Sequence, residues 1–168
     1  MADELLLIAR TALRRYAVRR DDLLDVKLVP GPDALAAGGL FDQPCLGVEL
    51  GPLLDPSDRS TLARRRALIV PLRRRYVALL VDYVETFLER AACAPLPALL
   101  RDRLRQPWAT GALAIEGDLI VQLDLRAVAR SVLLQQAGKI PEDLAICGGD
   151  QGLGAGSAHS QTPIPTTL

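Results

Sequence analysis

The chain has 168 residues, 49% of them apolar, and its 20 basic and 20 acidic side chains balance to a formal net charge of zero. That length suits one domain, or two small β subdomains sharing a core. The charge balance argues against a nucleic-acid field over the whole molecule, and no apolar run approaches the roughly 20 residues of a membrane span.

Cys45, Cys93 and Cys147 are odd in number and lack the CxxC spacing. They read as buried or free thiols in a reducing compartment. Met1-Ala2-Asp3-Glu4 is acidic where a signal peptide would be basic, so a cytoplasmic location is expected.

Residues 5–10 predict a strand, 11–15 a polar connection, and 16–20 a return to extended chain. Over 23–29, alternation places Leu24, Val26 and Leu28 on one face and Asp25 and Lys27 on the other. Pro30-Gly31-Pro32 stops that strand, and 33–37 predict one helical turn capped by Asp33. Gly38-Gly39 breaks the chain again, 45–50 form the next strand, and 51–56 close a first half. Residues 57–66 read as a solvated, charged connector and the seam between halves.

Residues 67–72 and 76–82 predict a hairpin around Arg73-Arg74-Arg75, and 83–89 prolong its second arm or start a further strand. Leu96, Leu99, Leu100 and Leu104 fall on helical spacing, so 97–105 predict a short helix with Pro97 in its first turn. Residues 108–115 and 119–125 predict a second hairpin around Glu116-Gly117-Asp118. Residues 126–136 predict a terminal helix with Val128, Val132 and Leu133 on one side and Gly138 at its end. Residues 136–168 form a tail that turns Gly-rich and then Pro/Thr-rich, with too little apolar surface to offset ordering. A mobile tail is expected there.

The pattern repeats. Leu6 to Val26 and Leu68 to Phe87 each hold an apolar strand, an Arg-Arg-Tyr turn and a second strand, with an Asp six residues past the Tyr (Asp22; Asp82). Cys45-Leu46-Gly47-Val48-Glu49-Leu50 and Ile120-Val121-Gln122-Leu123-Asp124-Leu125 form a second pair, each with an acid followed by Leu. One β unit used twice, in halves of about 4–56 and 67–135, points to a binding scaffold.

These residues carry a family resemblance over about 4–135. The run Val77-Ala78-Leu79-Leu80-Val81-Asp82 resembles the Val-Asp strand of CheW-like domains, the adaptor modules of bacterial chemosensory arrays. Residues 110–125, ending Leu123-Asp124-Leu125, resemble the family's second hairpin and its Leu-Asp-Leu. Tyr16-Ala17-Val18, Leu24-Asp25-Val26 and Val48-Glu49-Leu50 are similar to segments of its first half. The resemblance implies a mainly β fold: two SH3-like five-stranded β-barrel subdomains sharing a hydrophobic core, with short helices and a C-terminal helix. It implies an adaptor that binds the regulatory domain of a chemotaxis-type histidine kinase and, as a second partner, a chemoreceptor's cytoplasmic tip. It places Leu23, Asp25, Lys27 and Gly39 in the partner-binding surface. One segment departs from the family: Gly38-Gly39-Leu40-Phe41-Asp42-Gln43-Pro44 is shorter than usual and lacks the Asn and Arg found there. A divergent adaptor, or an interaction domain outside chemotaxis, is the alternative that this departure leaves open.

For Leu23 the residues offer their own argument. If Leu24 and Val26 face inward, Leu23 and Asp25 face outward, and an outward Leu beside an acid suits a partner-binding edge. An ordinary strand with one exposed Leu is the plainer reading. Trp108 is expected in the core under the second hairpin, with an interface role as the alternative.

Little points to catalysis. The single histidine, His159, lies in the tail, so no nucleophile has a positioned base. No Cys/His group has zinc-ligand spacing, and the tail glycines do not form a phosphate loop. A non-enzymatic protein without metal or cofactor is expected. Asp82 and Asp124, with Asp22 and Glu49 at equivalent places, read as strand-ending acids that accept backbone N–H bonds. A carboxylate pair is the alternative. Arg64-Arg65-Arg66 and Arg73-Arg74-Arg75 read as solvated turns, with an anionic-partner patch at Arg73, Arg74 and Arg75 as the alternative, for nucleic acid or a phosphorylated ligand.

Overall fold

Two hairpins of like sequence organise the molecule. In the computed structural model, which describes residues 5–36, 43–88, 93–99 and 108–137, β1 (Leu6–Arg10) turns into β2 (Arg15–Arg19), antiparallel from Leu6 opposite Arg19 to Arg10 opposite Arg15. β5 (Arg65–Leu72) turns through Arg73-Arg74 into β6 (Arg75–Val81), from Arg66 opposite Val81 to Leu72 opposite Arg75.

Each hairpin then sends its next strand to the other. β3 (Asp25–Val29) pairs antiparallel with β5, and β7 (Tyr83–Leu88) with β1. The crossings are marked by backbone bonds from Leu24 N to Ile69 O and from Asp82 N to Arg10 O, both 2.8 Å. The last strand of each half lies parallel to the hairpin of the other half: β4 (Cys45–Glu49) beside β6, and β10 (Asp118–Leu123) beside β2. β9 (Ala109–Ile115) pairs with β10, and the two-residue β8 (Ala94–Pro95) with β9. The two sheets are β7-β1-β2-β10-β9-β8 and β3-β5-β6-β4. The sequence repeat is therefore built by exchange, and each half of the chain supplies strands to both sheets. The described residues give six and four strands where five and five were expected, because β8 extends one edge and β4 and β3 end the other sheet.

Strand alternation explains why these runs are apolar at every position. Leu7 and Ala9 of β1, Tyr16 and Val18 of β2, Leu68 and Val70 of β5, and Val77, Leu79 and Val81 of β6 all enter one shared core. The intervening Leu6, Ile8 and Ala17 join Leu113 and Ile120 in a second core. Ala67, Ile69, Ala78 and Leu80 join Val29, Leu35 and Cys45 in a third. Each central strand is thus buried on both faces, with about 1.5–3 kcal/mol of stabilisation per large side chain.

Short helices α1 (Asp33–Ala36) and α2 (Leu50–Leu54) follow β3 and β4. α2 lies where the sequence suggested only a stop, and the Asp55 amide closes it on Gly51 O at 2.8 Å. The terminal helix α3 (Leu125–Ala137) buries Leu125, Val128, Ala129 and Val132 in the shared core, beside Trp108. Asp124 caps it by accepting the Ala127 amide at 2.9 Å. The Glu116-Gly117 turn has φ of 52° and 90°, the two left-handed positions of a type I′ hairpin. Most of the expected 97–105 helix and nearly all of the 136–168 tail lie outside the described residues.

The 57–66 connector is mostly exposed, as expected, but two of its charged residues are buried. Asp58 is 0% exposed, and Arg65, at 8%, opens β5 and pairs with Glu49 at 2.5 Å. The middle of the Arg64-Arg65-Arg66 triplet is therefore an internal ion pair and not part of a solvated turn.

Candidate partner-binding surface and arginine-lined pocket

Among the described residues β3 is an edge strand, paired on one side only, with β5. Such an edge offers backbone donors and acceptors to another chain. Leu24 is 42% and Leu28 51% exposed on the face they share with Val26, which packs against the shared core. Asp25 and Lys27 are half-buried on the opposite face. Asp25 accepts the Val26 amide at 2.7 Å. Lys27 lies near Cys45, whose thiol is pushed up by burial and drawn back by that ammonium.

The outward orientation inferred for Leu23 is corrected. Leu23 is 6% exposed and sits in the shared core. A 3-10 turn over Arg20–Asp22 precedes it, and the Leu23 amide bonds to Arg20 O at 3.0 Å. Leu23 is already extended, with φ −107° and ψ 135°, and the turn before it sets its side chain inward. Gly39 lies outside the described residues.

Among the strand-ending acids, Asp124 accepts a backbone N–H as expected, and does so at the start of α3. Asp22 instead pairs with Arg126 Nε at 3.0 Å, and Glu49 with Arg65. Burial raises the Asp22 carboxyl above the usual carboxylate range; Arg19 and Arg126 oppose that rise, while Asp124 and Asp21 add to it. Arg19, Asp21, Asp22, Asp124, Arg126 and Arg130 line one mixed-charge pocket of about 430 Å³. His159 lies outside the described residues. No group of three or more His, Cys, Asp or Glu stands close enough to hold a metal among the described residues.

The basic hairpin tip is reorganised by the fold. Arg73 and Arg74 line a second pocket, of about 490 Å³, with Arg126 and Arg130 of α3. Arg75 has moved into β6, opposite Leu72, and is not in that lining. Arg126 and Arg130 were not singled out from the sequence. Their four-residue spacing on a predicted helix, which puts them on one face, is the signal that could have found them.

No family model matches this sequence, and no curated protein does. Among solved structures the chain is similar to the crystal structure of the scaffolding protein TtCheW from Thermoanaerobacter tengcongensis, with a TM-score of 0.55 and 15% identity over 74% of this chain and 86% of that one. No helix among the described residues is long and apolar enough to cross a membrane. At that identity the likeness speaks for architecture: the chain has the CheW-like, two-subdomain β fold.

Proposed function

We propose that this chain is a non-enzymatic adaptor of bacterial chemosensory signalling. It binds the regulatory domain of a chemotaxis-type histidine kinase, with a chemoreceptor tip as a second partner, and works in the cytoplasm. The observation that carries this reading is the fold shared with a scaffolding protein over most of both chains. Edge strand β3 supports it, since Leu24 and Leu28 stand exposed on a strand whose outer side is met by no other strand among the described residues. A partner strand added there would gain affinity from main-chain hydrogen bonds and specificity from the two leucines.

The test is a calorimetric titration against the CheW-like regulatory domains of kinases from the same genome. Binding by the wild-type chain, weakened at least about tenfold by Leu28→Arg, supports the reading. Absence of heat with every such domain at about 100 μM protein rejects it.

A further inference from the structure

We infer that the pocket between the β5–β6 turn and α3 binds a small polyphosphate-bearing ligand, of the nucleoside di- or triphosphate class. The inference stands independently of the adaptor reading. Arg73 and Arg74 come from the turn, Arg126 and Arg130 from the helix, and Pro71, Leu72 and Leu133 complete the lining. No acidic side chain lines this pocket among the described residues. Arg126 has its counter-charge in Asp22, while the lining itself offers Arg73, Arg74 and Arg130 no carboxylate among the described residues.

Arg73, Arg74 and Arg130 are exposed, and Arg126 is already held in place. Its Nε pairs with Asp22 at 3.0 Å and its Nη2 donates to Asp21 O at 3.2 Å. One anchored guanidinium and three others make a receptor for a compact multiple charge. A lone carboxylate neutralises one of these groups, whereas each phosphate brings about −1.5 to −2 charges and several acceptor oxygens. Guanidinium forks match those oxygens two at a time. An acidic peptide carries its charges spread along the chain and fits the convergence less well. No aromatic side chain lines the pocket among the described residues, so recognition rests on the phosphate groups and not on base stacking. The cavity, at about 490 Å³, is of small-molecule size, and Pro71, Leu72 and Leu133 offer an apolar floor for an organic body.

The experiment is isothermal titration of the full chain with pyrophosphate, with ATP and with a single-stranded oligonucleotide. It compares wild type, the double variant Arg74→Gln/Arg130→Gln, and Arg75→Gln as a control on the same hairpin outside the pocket. A urea unfolding curve checks each variant, and Arg130→Gln alone replaces the double variant if that one does not fold. Pyrophosphate or ATP should bind with a Kd below about 1 mM. The pocket variant should weaken binding at least about tenfold, and Arg75→Gln should leave it within about twofold. No binding of either phosphate compound at about 1 mM overturns the inference. So does an equal loss with Arg75→Gln, or tighter binding of the oligonucleotide that depends on Arg75, since either means diffuse basic attraction. Kinase binding that persists in the double variant keeps this site distinct from the adaptor surface.

Discussion

Thr11 and Asp58 stand forty-seven residues apart and are joined inside the protein. The Thr11 hydroxyl donates to Asp58 Oδ2 at 2.5 Å, and the Leu13 amide donates to Asp58 Oδ1 at 3.0 Å. The connector between α2 and β5 thereby clamps the β1–β2 turn. Nearby, Asp55 accepts from Ser57 Oγ at 2.7 Å and from the Ser57 amide at 3.0 Å, and these bonds, with a smaller contribution from Arg14 Nη2 at 3.0 Å, hold its carboxyl below the usual range. Asp58→Ala removes the acceptor of the part-buried Leu13 amide and leaves the Thr11 hydroxyl only Arg14 O, at 3.1 Å. A loss of about 1–3 kcal/mol is expected, read as the shift in urea unfolding midpoint. Gly51→Ala should destabilise the same joint, since a methyl group there would collide with the Asp58 backbone oxygen. An unfolding midpoint equal to wild type for both variants would show that the clamp contributes nothing.

Leu23 and Leu28 should separate folding from binding. Leu23→Arg puts a charge in the shared core, and loss of about 3 kcal/mol or more is expected, enough to abolish the folded state of a small domain. Leu28→Arg changes an exposed position, and stability should stay within about 0.5 kcal/mol of wild type. Thermal unfolding of the two variants checks this. A Leu23→Arg protein as stable as wild type would contradict the burial of Leu23.

The β9–β10 turn carries a correctable strain. Glu116 holds φ at 52°, where a side chain other than Asn or Asp is disfavoured. Glu116→Asn suits a type I′ turn followed by Gly, and a gain of about 0.5–1 kcal/mol is expected. Gly117→Ala, at φ 90°, should cost about 1 kcal/mol or more. Opposite signs in denaturant unfolding are the expected result.

Asp22 predicts a pH dependence. Its folded-state pKa is raised above the unfolded value, chiefly by burial. Between the two values the native state holds more protons than the unfolded chain, so stability falls as pH rises through that window. Its contribution is therefore fully present below the unfolded pKa and lost above the folded one. Against Asp22→Asn, the wild-type protein should gain relative stability as the medium is acidified from neutral into the range just above ordinary carboxylates. Parallel unfolding curves for the two proteins across that range would refute the shift.

Much of the fold was legible in the sequence, for a physical reason. Strand alternation, turn residues and helix spacing are local properties. They identified the β5–β6 and β9–β10 hairpins, Asp124 as a strand-ending acceptor of backbone N–H and the Val128/Val132 face of α3. The repeat was visible because both copies use the same turn chemistry. Its exchange was not, since nothing within a strand specifies which hairpin it will join. That choice is made by burial: β3 and β7 each complete the edge of the opposite sheet, and only then do both faces of β1 and β5 find cores.

The candidate sites divide along the same line. The Arg73-Arg74 turn follows from local pattern, whereas Leu24 and Leu28, expected to face inward with Val26, stand exposed. Leu23 turned inward because a 3-10 turn shifted the phase of alternation, and Arg65 because Glu49 on another strand supplied its counter-charge. The sequence by itself determined which segments are strands, which turns join them and where the basic residues fall along the chain. Only the tertiary structure decided that Arg126 and Arg130 stand beside Arg73 and Arg74, because long-range packing of α3 across the hairpin brings together charges that no local spacing connects.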